Sequence, residues 1–186
     1  MSERIAPVEP PYAPEVDAHL RAAMPSWTQA PPLRLFRIWA RHVPMAEALR
    51  ALGHYILGAG TVDPRDREIV ILRVCARCGA EYEWGVHAIS FPPFLKIPEA
   101  QVRATATAAA DDPAWTPRQA LLVRLVDELH DTARVSDALW RELAATWSET
   151  ELLELVLIVG FYHLVSFTVN ATGVENEPWA ARLPGR

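Results

Sequence analysis

The sequence predicts an all-α protein of eight or nine helices, and three observations predict it. Apolar residues recur at helical spacing along most of the chain. Helix start and stop signals separate these stretches, many of them built from the sixteen prolines. Nowhere do four to eight alternating β-branched residues stand between turn signals, so no sheet is required. There is no internal repeat of fixed period.

The elements follow in order. Pro7, Pro10, Pro11 and Pro14 fix φ and remove donors, which makes residues 1–14 an extended arm. A short helix follows at Pro14 to Met24, closed by Pro25, Pro31 and Pro32. Leu33 to Arg41 and Pro44 to Leu57 read as two more, the second ended by Gly58-Ala59-Gly60. Asp63-Pro64 pairs a capping carboxylate with proline at the first helical position, and Gly79 suits the left-handed residue after that helix ends at Cys78. Ala80 to Ser90 is the next helix, stopped by Phe91-Pro92-Pro93, and a short one follows Pro98 into the Ala/Thr tract 104–110. Thr116 and Gln119 form a capping box before the stripe Leu121, Leu122, Leu125, Val126, Leu129. Ser136 to Thr146 and Ser148 to Ala171 complete the set.

The last segment is long and apolar enough to raise a membrane span. Glu154 and His163 would be costly in hydrocarbon, and Ser148 with Glu151 forms a capping box. We read a helix apolar nearly all round, buried in a core or a subunit interface and covered in part by Leu121, Leu125 and Leu129. One helical domain, residues 15–178, is expected between the arm and a tail at 179–186. At 51% apolar and 22% charged, the 186 residues have a globular composition. A net charge of −5 supplies no phosphate-neutralising patch, so nucleic acid is not an expected partner, nor is a membrane. No signal peptide is visible, and two cysteines are compatible with a reducing cytosol, so a cytoplasmic location is expected.

Chemistry concentrates between Glu68 and His87. Glu83 and His87 are four apart and meet on one helical face. If Gly79 folds the two helices antiparallel, Glu68 comes level with His87, placing two carboxylates and an imidazole around one small pocket. Such a group can move protons near neutral pH. The plainer alternative is a structural Glu–His pair that orients two helices.

The runs DPRDREIVILRV at Asp63–Val74 and AEYEWGVH at Ala80–His87 resemble the carboxymuconolactone decarboxylase family, which includes the AhpD-type alkylhydroperoxidases. The run FYHLVSFTVNATGVE at Phe161–Glu175 is similar to the C-terminal helix of its longer members. The resemblance implies an AhpD-like helical fold and homo-oligomers, often trimers or hexamers, with a site between adjacent helices near an interface. It implies His87 and Glu83 as the acid–base pair, Glu68 as the group that orients His87 or relays a proton, and Tyr82 and Trp84 as pocket residues for a small-molecule substrate. No cofactor and no metal is implied.

The AhpD-type peroxidases carry Glu-x(11)-Cys-x-x-Cys-x-x-x-His. Here the two cysteine positions fall on Ala80 and Glu83. The chain's own pair, Cys75 and Cys78, comes five residues early; five residues turn a helix by about 140° and advance it about 7.5 Å, so the pair cannot replace the missing one. Both cysteines are therefore expected to be buried and off the Glu68–His87 face, with a redox pair as the alternative. No second ligand pair stands at zinc spacing. His19, His42, His54 and His130 have ordinary amphipathic contexts, and His163 reads as a satisfied core histidine. Three functions stay open: a decarboxylase-like lyase acting on a carboxylated lactone or similar acid, a thiol peroxidase or peroxiredoxin-type reductase using Cys75 and Cys78, and a non-catalytic helical oligomer.

Overall fold

The computed structural model describes residues 3–25, 28 and 30–185, and among these every regular element is helical. The helices are α1 (Pro14–Ala23), α2 (Arg34–Trp39), α3 (Val43–His54), α4 (Pro64–Arg77), α5 (Glu81–Ser90), α6 (Pro92–Leu95), α7 (Glu99–Thr107), α8 (Pro117–Thr132), α9 (Asp137–Ala144) and α10 (Glu149–Thr172). One more turn than expected is helical: Pro92-Pro93, read as a stop, instead opens α6, because proline is tolerated in a first helical turn. The single helix expected at Pro44 to Leu57 divides into α3 and a π-helical turn, Tyr55–Ala59.

The local signals act as their chemistry requires. Asp63 accepts from the Arg65 amide at the start of α4. Thr116 with Gln119, and Ser148 with Glu151, form reciprocal capping boxes that satisfy orphan amides of α8 and α10. After α4, Gly79 takes φ +59°. The Ala80 amide then donates to Cys75 O at 2.8 Å and the Gly79 amide to Ala76 O at 2.9 Å, the paired bonds of a Schellman stop. That turn sends α5 back along α4.

The central helix is α4. Asp66 to Cys75 is buried without interruption, and α5, α7, α8 and α10 all pack on it. Two of its charges pair with α8: Arg73 bonds both oxygens of Asp127 at 2.8 and 2.7 Å, and Asp66 pairs with Arg118 at 2.7 Å. The apolar stripe of α8 lies chiefly against α4 rather than against α10, where it was expected. Helix α10 is long and apolar enough to cross a membrane, and more than half of it is buried inside the fold. Its Glu154 accepts from Tyr55 Oη at 2.5 Å and from the Thr61 and Val62 amides, so the carboxylate holds the α3–α4 loop. Leu153, Leu157, Leu164 and Phe167 of α10 stay exposed.

Both ends of the chain dock. The Arg4 amide donates to Thr172 O and the Val8 amide to Arg37 O, which lays the arm along α10 and α2. The tail crosses α5, where the Ala181 amide donates to Gly85 O. A Cβ at Gly85 would stand 2.2 Å from Ala181 O, so this crossing requires glycine.

Candidate active site

The reversal at Gly79 places Glu68, near the start of α4, against His87, near the end of α5. His87 Nδ1 donates to Glu68 Oε1 at 2.8 Å. On the other side of the ring, His87 Nε2 lies 3.4 Å from Glu83 Oε1 and 3.3 Å from Tyr162 Oη of α10. Phe91 stacks on the imidazole with centroids 4.7 Å apart, and Tyr162 meets it edge-on. All of this is buried: Glu68 is 0% exposed, His87 4% and Glu83 8%. Two surface clefts lie elsewhere, one by the arm and α3, the other by Gly79 and Val174.

Burial by itself drives an imidazole toward its neutral form. Here the charges of Glu68 and Glu83 outweigh it and pull the His87 pKa up to about 10. At neutral pH the centre is an imidazolium held between two carboxylates. Burial, followed by the same two carboxylates, pushes the Tyr162 phenol well above its ordinary value, so it stays neutral. Two polar features remain open. Glu68 Oε2 is buried with no hydrogen-bond partner, and so is Arg67 Nε. Arg67 is itself buried, forms no ion pair among the described residues, and lies near enough to Tyr162 for its charge to be felt.

The structure thus brings Glu68, Glu83 and His87 together. It sends the two expected pocket aromatics elsewhere. Tyr82 Oη accepts from the Leu35 amide at 3.2 Å and donates to Glu177 at 2.8 Å, and Trp84 Nε1 donates to Thr105 on α7. Both fasten α5 to neighbouring elements, since a buried hydroxyl or indole N–H turns toward whichever partner its own helix face meets. Tyr162 and Phe91 line the centre in their place, and the charge of Arg67 reaches Tyr162. Sequence spacing missed them, although Phe91 stands four residues after His87 and Arg67 directly before Glu68.

The cysteines separate. Cys75 is fully buried and lies seven residues after Glu68, two helical turns on, so it shares Glu68's face of α4 rather than lying off it. Burial, and then Glu83, raise its thiol well above the ordinary value. Cys78 was expected to be buried; it is half-exposed because α4 ends there, and burial raises its thiol as well. A nucleophilic thiol needs the opposite shift. The two sulfurs are free and form no disulfide.

The fold and its buried Glu–His–Glu centre define a helical protein built around one paired imidazole. Residues 44–123, which include that centre, match the model described as the carboxymuconolactone decarboxylase family. Its fold is similar to that of an uncharacterized peroxidase-related protein from Silicibacter sp. TM1040, with TM-score 0.80 at 14% identity over 95% of this chain and 94% of that one. An AhpD-core peroxidase-related protein from Ralstonia eutropha gives 0.77 at 14% identity over 95% of each chain. A cysteine-to-alanine variant of the debrominase Bmp8, in complex with 2,3,4-tribromopyrrole, gives 0.75 at 15% identity over 96% and 94%. No curated protein matches the chain in sequence.

Proposed function

We propose that this chain is a small-molecule enzyme of lyase type, moving protons through His87, Glu83 and Glu68 on a carboxylated lactone or a related acid. The observation that carries the reading is the buried imidazole clamped between two carboxylates, with no thiol bonded to it. Glu68 fixes the Nδ1 side, which leaves the Nε2 side, with Glu83, as the working face. Glu83 has the most exposed side chain of the three, so substrate arrives past it. Arg67 supplies the cation for a substrate carboxylate, because its buried guanidinium pairs with no acid among the described residues. When the carbon–carbon bond to the departing carboxylate breaks, CO2 leaves and an electron pair stays on carbon. A proton from the Glu83–His87 pair quenches it, and solvent restores that proton.

Support from the family match is general rather than specific to one reaction. The raised thiols speak against the peroxidase reading. A homo-oligomer, a trimer or hexamer by resemblance, would cover Leu153, Leu157, Leu164 and Phe167 with a second copy; light scattering tests it. The reaction is tested by following CO2 release from a panel of carboxylated lactones. His87→Gln should cost about 10²- to 10⁴-fold in turnover, while Cys75→Ser keeps it. Thiol-dependent reduction of an organic peroxide that survives His87→Gln and vanishes in Cys75→Ser would overturn the reading.

A further inference from the structure

A second cluster of ligating side chains lies away from that centre. Cys78 at the end of α4, His130 of α8 and His163 of α10 bring one sulfur and two ring nitrogens within 4.8 Å of one another. Cys78 Sγ is 3.8 Å from His130 Nδ1, which is 3.0 Å from His163 Nε2. We propose that these three side chains form a binding site for a zinc-class divalent ion with a fourth position open to solvent.

Ligand chemistry and spacing both suit such an ion. One thiolate and two imidazoles are a borderline-soft set that favours zinc over magnesium or calcium. Zinc bonds about 2.0–2.1 Å long to nitrogen and 2.3 Å long to sulfur put tetrahedral neighbours roughly 3.4 and 3.6 Å apart. The observed 3.0 and 3.8 Å differ from those separations by a few tenths of an ångström.

Independent support comes from the far side of His163. Its Nδ1 lies 2.8 Å from Val159 O, and a carbonyl can only accept, so Nδ1 carries the proton. That leaves the Nε2 lone pair bare and aimed at the cluster, the outer-shell arrangement that orients metal-binding histidines. Without an ion, the proton between the rings belongs to His130 Nδ1. On binding, His130 shifts that proton to Nε2 and the Cys78 thiol releases one proton per ion, while the metal takes the space between the three atoms. Asn170 Nδ2 donates to Cys78 O at 2.8 Å and steadies the backbone there. Arg77 is the cation nearby, and Asp127 and Asp131 both pair with it. All three ligands are half-buried, which leaves room for water or a substrate oxygen as the fourth ligand.

The test is a Co²⁺ titration of the untagged, reduced full chain, followed by competition with Zn²⁺. One equivalent should bind, with a thiolate-to-cobalt charge-transfer band and the strong visible bands of four-coordinate cobalt. Cys78→Ser should abolish the charge-transfer band. His163→Ala should weaken Zn²⁺ binding by more than about tenfold, and the exposed His54→Ala should change nothing. Should a ligand variant fail to fold, Zn²⁺ protection of Cys78 in the unmodified chain against a thiol reagent, located by mass spectrometry, gives the same answer. Substoichiometric binding, an unchanged charge-transfer band in Cys78→Ser, or Cys78 labelling indifferent to Zn²⁺ would overturn the proposal.

Discussion

Two imidazole clusters flank α10, and adjacent residues of that helix, Tyr162 and His163, each belong to one of them. On one side His87 is buried and bonded by acids; on the other, His130 and His163 are half-buried beside a thiol, with no carboxylate among the described residues bonded to either ring. The same side chain therefore serves opposite ends. Surrounded by Glu68 and Glu83, an imidazole holds its proton. Facing a sulfur and a second imidazole, it offers a lone pair. Burial disfavours the charged form in both places, so the neighbours decide the outcome.

Removing the acid on the first side should have the largest effect. Glu68→Gln takes away the charge that holds the His87 proton and should cost about 3 kcal/mol in chemical denaturation. The lower end of the range for a broken buried pair is expected because His87 can discharge, leaving no stranded cation. The unpartnered Oε2 adds nothing to the loss. A cost below about 1 kcal/mol would mean that His87 is already neutral in the folded chain.

The clusters should also respond to pH in opposite directions. The folded pKa of His87 is raised from 6.5 to about 10, so its contribution is complete below pH 6.5 and is lost as pH climbs toward 10. His130 is held below its ordinary value, first by burial and then by Arg77 and His163. The unfolded chain then takes up that proton more readily, so this side loses stability as pH falls below 6.5. Melting temperatures from pH 5 to 10 should show His87→Gln flattening the alkaline limb and His130→Gln flattening the acidic one. If either variant flattens the other limb, the contrast between the clusters fails.

Arg67 tests whether the acidic side is also a substrate site. Arg67→Gln should raise KM for a carboxylated substrate about tenfold, the loss of roughly 1.4 kcal/mol from one charge-assisted contact, and leave kcat within a few-fold. An equal fall in kcat with unchanged KM would place Arg67 in the proton-transfer step instead.

The two clusters also differ in how legible they were. Glu68 and His87 were readable because one local turn, signalled by Gly79, relates the two helices that carry them, and Asp63 and Gly79 set the ends of α4. Arg67 and Tyr162 were not, because the approach of α10 to α4 depends on packing between segments about ninety residues apart. The Cys78 cluster joins three helices across separations of 33 and 52 residues, beyond any spacing rule for ligands. The bonds of Tyr82 and Trp84 were not readable for a related reason: their partners, Glu177 and Thr105, come from remote parts of the chain. The all-α class needed none of this, since periodicity and punctuation are local.

The smallest expected effect asks whether the clusters are coupled through α10. Tyr162→Phe removes a hydroxyl 3.3 Å from His87 Nε2. A typical hydrogen bond contributes about 1 kcal/mol net, and Glu83 stays in place, so the cost should fall below that. His163→Ala removes the contact to His130 on the other side of the helix. Successive residues point about 100° apart and these two share no hydrogen-bond partner, so the double mutant should be additive within about 0.5 kcal/mol. Urea denaturation of the two single variants and the double variant measures this. A coupling above 1 kcal/mol would show that α10 shifts as a rigid unit when either cluster is altered. Occupancy at Cys78 would then bear on the protonation of His87, and the two sites would be halves of one device.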